Sequence, residues 1–234
     1  MNDDITQPAL LPVRGAARSA VAAFVLVGTA WVARAVWQVR LATAGLPSSG
    51  LPDQGEGRHR TLTGLENAYH VVSALGDAAT LLCAVAFLLW LARVRENARV
   101  LSGQAPRYAW PWIYAGWIVP IANLWVPRGI IVDVHQKSAP GERLPRAVNW
   151  WWGLWLAGTL SGVGLMYTGS TNDVIARAYS DVQFLLLADA AVLGAAVAGI
   201  LVIRELTAVQ QKHIEPSTSS PGALVAAPPD APLR

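Results

Sequence analysis

The chain has 234 residues, 53% hydrophobic and 14% charged, with a formal net charge of +3 and a single cysteine. That balance excludes an ordinary soluble domain, in which about a quarter of residues are charged, and one cysteine excludes an intrachain disulfide. The basic residues lie beside apolar runs and not in a domain of their own, so they read as topology signals and contacts to anionic lipid headgroups, and nucleic acid is not an expected partner.

Residues 1–15 are expected to be a disordered cytoplasmic tail, and residues 16–213 a membrane helical domain. Within it, apolar runs occupy 19–37, 71–91, 108–132, 148–167 and 182–203, each near the ~20 residues a helix needs to cross the hydrocarbon. None alternates as a barrel strand does, so the class is an all-α integral membrane protein. Ala42-Thr43-Ala44 has the look of a cleavage site, but the first run is long and Arg34, Trp37 and Arg40 intervene, so an uncleaved first span is expected. Residues 42–66 are a Gly/Pro/Ser-rich external loop without metal-ligand or nucleophile spacing. Cys83, inside the second run, reads as buried. Residues 214–234 are a Pro/Ala-rich tail expected to be disordered.

The third run is broken. Pro111 suits a first helical turn, but Pro120 cannot donate to the Gly116 carbonyl and Pro127 cannot donate to that of Asn123. Val119 and Val126 are steered away from α geometry by the prolines that follow them. Such backbone survives at membrane depth only where protein or water satisfies it, so Gly116, Pro120, Asn123 and Pro127 form a candidate binding region facing the bundle interior. Charge bears on whether the run crosses. If it returns to the face it entered from, Arg93, Arg95, Arg99, Arg107, Arg128, Lys137, Arg143 and Arg146 join Arg14, Arg18, Arg204, Lys212 and Arg234 on the cytoplasmic side. Only Arg40, Arg58, Arg60 and Arg177 remain outside, a better positive-inside partition than five spans allow. The expected architecture is therefore four transmembrane helices plus a Pro-broken third segment, either re-entrant or a kinked fifth span. Most of the eleven tryptophans fall between residues 110 and 155, and they read as an interfacial belt and as packing.

Trp90-x-x-Arg93-x-x-x-Asn97, Pro106, Trp112, Trp117, the V-P-I-A-N-L-W-x-P run from Val119 to Pro127, and Trp151, Trp152 and Trp155 form a specific pattern. Over roughly residues 65–212 it resembles the actinobacterial membrane family catalogued as domain of unknown function 4328. The resemblance implies a multi-span protein without established catalytic residues. Arg128 departs from the pattern, in which an aromatic residue often follows the second proline.

Three ionisable residues lie inside apolar runs: Arg34, Asp77 and Asp189. Measured from Arg18, Arg93 and Arg204, all three fall about 22 to 24 Å above the inner edge, in the outer part of a ~30 Å core. Charge there favours pairing, and Arg34 is expected to pair with Asp77, Asp189 or both, either to fix helix packing or to couple protons or cations. Gly158-x-x-x-Gly162, Ala190-x-x-x-Gly194 and Ala195-x-x-x-Gly199 allow close helix approach, within the chain or in a homodimer. His59, His70, His135 and His213 lack metal-ligand spacing, no phosphate-binding or nucleophile motif occurs, and neither cofactor nor enzymatic activity is expected. The chain reads as a multi-pass plasma-membrane protein with both termini cytoplasmic and a structural, regulatory or partner-binding role. Its basic face would be Arg93, Arg95, Arg99 and Arg107. The alternative is a small-solute or ion transporter using the broken segment.

Overall fold

The computed structural model describes residues 10–161 and 170–218. Among the described residues the fold is all-helical, and three helices are long and apolar enough to cross a membrane. They are α1 (Arg14–Ala44), α2 (Gly64–Ser102) and α7 (Val182–Thr218). At 39 residues, α2 is roughly 58 Å long, well beyond the ~30 Å of hydrocarbon, so both its ends project past the apolar run. Sequence chemistry sets those ends. Thr63 accepts from the Glu66 N–H while the Glu66 side chain accepts from the Thr63 N–H, a complete capping box, and Gly103 closes the other end with a left-handed φ of 64°.

Shorter helices fill the space between: α3 (Trp112–Ile118), α4 (Val126–Ser138), α5 (Arg146–Leu160) and α6 (Thr171–Ser180). α1 packs between α2 and α7, α5 packs on α7, and α4 lies against α2, α7 and α5. Small residues set the closest crossings. A Cβ at Gly158 would meet Val192 at 2.8 Å, one at Gly194 would meet Leu154 at 2.9 Å, and one at Gly199 would meet Phe24 at 2.6 Å. These glycines serve contacts within the chain; Gly162 lies outside the described residues.

The largest core cluster joins α2, α4, α5 and α7 through Trp90, Val94, Ile130, Ile131, Trp151, Val202 and Leu206. Phe87 is its aromatic hub, with ring centroids of Trp90, Trp117 and Trp151 at 5.4 to 5.6 Å. Tryptophan thus divides between two roles: Trp90 and Trp151 are buried, whereas Trp110, Trp125 and Trp150 are exposed.

Several element boundaries move relative to the sequence reading. α1 runs to Ala44 and α2 starts at Gly64, which shortens the loop between them, and α7 continues to Thr218, beyond the expected limit at 213. The segment from Leu11 is not free: the Asn97 side chain bonds the Leu11 N–H and C=O at 2.8 and 2.9 Å. The fourth apolar run is helical from Arg146 to Leu160, and its residues 162–167, like the two tail ends, lie outside the described residues. α6 was not expected; its capping box, Ser170 with Asp173, was the available signal.

Candidate functional site

The broken segment folds into a helical hairpin. Pro111 stands at the N-cap of α3, and α3 ends where Val119, preceding Pro120, adopts an extended ψ of 114°. A single 3₁₀ turn, Ala122–Leu124, reverses the chain, and α4 starts at Val126. The two prolines therefore differ in effect. Pro120 ends a helix, whereas Pro127 sits in the first turn of the next one, where its missing N–H breaks no ladder bond. Gly116 lets the arms meet: a Cβ there would lie 2.7 Å from Val126 Cγ1.

At the base of the hairpin the ingoing and outgoing chains are held side by side. The Arg107 N–H donates to Asp133 at 3.1 Å, and Lys137 donates to the Ala105 carbonyl at 2.6 Å while pairing with Asp133 at 3.2 Å. The tip is apolar and open, with Ile118 75%, Ile121 68% and Trp125 53% exposed. Asn123 points inward, and among the described residues its Oδ1 and the Trp117 Nε1 are buried without a hydrogen-bond partner. Arg128 reaches α5, donating to Asn149 Oδ1 at 2.7 Å, which gives the departure from the family pattern a local role.

The basic residues near this base do not act alike. Arg93 donates to the Pro12 carbonyl at 3.3 Å. Arg99 makes an exposed pair with Glu96. Arg95 is buried, donates to the Tyr108 carbonyl at 2.5 Å and lies 5.5 Å from the Trp110 ring, so it fixes the approach to α3. Burial lowers the Arg95 pKa.

Inside the bundle, Arg34 on α1 forms a direct ion pair with Asp189 on α7 and donates to Tyr69 Oη at 3.2 Å. Its guanidinium also lies 4.8 Å from the Trp31 ring. Asp189 is 3% exposed, and its second oxygen has no partner among the described residues. Asp77 is half-buried on α2, within electrostatic reach of Arg34 but without a direct ion pair to it.

A second buried pair was missed by the sequence reading, which assigned no chemistry to Glu66. Arg60, in the external loop, grips Glu66 with two bonds of 2.8 and 2.7 Å, while the Thr63 N–H donates at 2.8 Å and Tyr179 of α6 donates at 3.1 Å. Arg60 also donates to the Gly50 carbonyl at 2.9 Å, tying the loop to both helices. The Arg60 bonds hold the Glu66 carboxyl at about 2, and desolvation together with Glu66 pushes Tyr179 to about 12. Thr63-x-x-Glu66 was readable as a capping box; the approach of Arg60 and Tyr179 was not.

No group of three or more His, Cys, Asp or Glu able to hold a metal occurs among the described residues. The family model described as Domain of unknown function (DUF4328) matches residues 55–208, and the chain belongs to that family. No curated protein and no solved structure matches it.

Proposed function

We propose that this member of the DUF4328 family is a multi-pass protein of the bacterial plasma membrane with a structural or partner-binding role. In this reading both termini are cytoplasmic, and α1, α2, α7 and the run beginning with α5 cross the bilayer. The segment between α2 and α5 is a re-entrant hairpin. One observation carries this: the hairpin has a charged, hydrogen-bonded base at Arg107, Asp133 and Lys137 and an exposed apolar tip at Ile118, Ile121 and Trp125. A base that keeps its charges in water and a tip that presents only apolar side chains match a segment dipping into hydrocarbon and returning.

The cytoplasmic face then consists of the hairpin base with Arg93, Arg99 and Arg107, available to anionic headgroups or an acidic partner. The Arg34–Asp189 pair fixes α1 against α7 at depth. A transport role has one observation in its favour, the Asn123 Oδ1 and Trp117 Nε1 that have no partner among the described residues of the broken segment and its surroundings, whereas a scaffold accounts for the whole hairpin. Single cysteines at the exposed positions Gln104 and Glu142, in a Cys83→Ala background, test the hairpin with a membrane-impermeant thiol reagent. Both should label from the cytoplasmic side; labelling from opposite faces would make the segment a span. Uptake into proteoliposomes that is abolished by Asn123→Ala would replace the scaffold role with transport.

A further inference from the structure

Two grooves meet at Arg40. One, about 440 Å³, runs between α1 and α7 and is lined by Val32, Val36, Val39, Leu186 and Leu193. The other, about 520 Å³, lies beyond it at the end of α1, bounded by Thr43, Ala44, Gly64 and Ala68. Arg40 lines both. The first groove is apolar and faces outward, since Val32, Val36 and Val39 are each exposed. The second is bordered by a hydroxyl and by the backbone at two helix ends.

The charges at this end of the bundle set Arg40 apart. Arg34 pairs with Asp189, Arg58 with Glu56, Arg60 with Glu66 and Arg177 with Asp181. Arg40 is exposed, its guanidinium 4.8 Å from the Trp37 ring, and no carboxylate lies within ion-pair distance of it among the described residues. Asp189 lines the floor of the apolar groove, but Arg34 neutralises it, so the floor does not repel an anion. Arg40 stands roughly 33 Å along α1 from Arg18, about one hydrocarbon thickness, which places it at the opposite headgroup level.

We infer that Arg40 and its two grooves bind an anionic phospholipid. The phosphate lies on the Arg40 guanidinium, an acyl chain follows the α1/α7 groove, and the polar end occupies the groove at Thr43. A free cation at the junction of an apolar groove and a polar one matches an amphiphile whose negative charge sits between chain and headgroup, and a neutral or zwitterionic lipid leaves that cation less well matched. The site rests on the reading that α1 and α7 cross the bilayer and is independent of the hairpin.

Native mass spectrometry of the full chain in mild detergent, titrated with phosphatidylglycerol or phosphatidylcholine, tests it. Phosphatidylglycerol should be retained preferentially, Arg40→Gln should weaken it roughly five- to tenfold, and Val36→Trp, which fills the groove from an exposed position, should weaken it comparably. Arg58→Gln, already exposed and paired, should bind as the parent does. Equal retention of the two lipids, or undiminished phosphatidylglycerol binding by Arg40→Gln, overturns the site. Displacement by millimolar inorganic phosphate overturns the lipid assignment in favour of a free-anion site. Cysteines at the exposed positions Gly15 and Thr43, at the two ends of α1, that label from the same face would instead remove the bilayer crossing of α1, an outcome distinct from loss of lipid selectivity.

Discussion

Arg34–Asp189 and Arg60–Glu66 are the same chemistry in two settings. Both join an arginine to a buried carboxylate, and both link separate segments of the chain. Glu66, beside the polar loop, is saturated: a two-bond grip from Arg60, a backbone N–H and a phenol. Asp189, surrounded by apolar helices, has one oxygen paired and the other without a partner among the described residues. The loop supplies donors freely because its backbone is not committed to a helix, whereas the bundle interior offers only what neighbouring side chains bring. A complete hydrogen-bond shell therefore forms at the cap, and the interior pair depends on one contact.

The comparison is broken most severely by removing one partner of the interior pair. Asp189→Ala removes the direct ion-pair partner of Arg34 among apolar helices and should cost about 3 to 5 kcal/mol. Unfolding titrations in detergent measure this, and Arg34→Met with Asp189→Leu should recover most of the loss. A normal unfolding midpoint for Asp189→Ala would remove the packing role. Glu66→Ala should cost about 3 kcal/mol, because the stranded Arg60 can still reach the Gly50 carbonyl and water.

Acid separates the contribution of Glu66 from that of neutral contacts. Because Glu66 is held at about 2 against an ordinary 4.5, the unfolded chain binds more protons between those values. The stability contributed by the pair is complete above about 4.5 and disappears as pH falls through about 2. Hydrogen exchange across that range should open residues 45–63 ahead of the Asn97–Gln210–Ser138 network, whose amides and hydroxyl carry no charge. Tyr179→Phe removes one bond from the saturated shell and should cost about 1 kcal/mol. Arg99→Gln, which breaks an exposed pair one turn long, should leave the unfolding midpoint unchanged.

The hairpin shows how far sequence carried and where it stopped. Pro111 and Pro120 fixed the limits of α3 through local sterics alone, and the prediction that the ladder fails at Pro120 describes the structure. Pro127 was read as a second break because a missing N–H looks the same at the end of one helix and the start of the next. Which one applies depends on whether the chain has already turned, and that turn is held by Arg107, Asp133 and Lys137, residues that meet only once the arms are antiparallel. Residue spacing from Arg18, Arg93 and Arg204 predicts one level for Arg34, Asp77 and Asp189, but level along a helix says nothing about azimuth. Packing α1 between α2 and α7 turns Arg34 toward Asp189 and leaves Asp77 half-buried.

What the sequence determined by itself is what short-range chemistry controls: apolar runs of helical length, the helix starts marked by Thr63 with Glu66, the stop at Gly103, and the break at Pro120. Each depends on neighbours within a few residues, so each is present before the chain folds. The tertiary structure alone decided the pairings. Arg60 lies six residues from Glu66, yet their bond needs the loop to turn back through Gly50, and Tyr179 joins them from across the chain only because α6 packs beside the first turn of α2. Long-range ion pairs and grooves depend on how helices rotate about their axes, and that rotation is set by close packing at Gly158, Gly194 and Gly199, not by any property of the paired residues themselves.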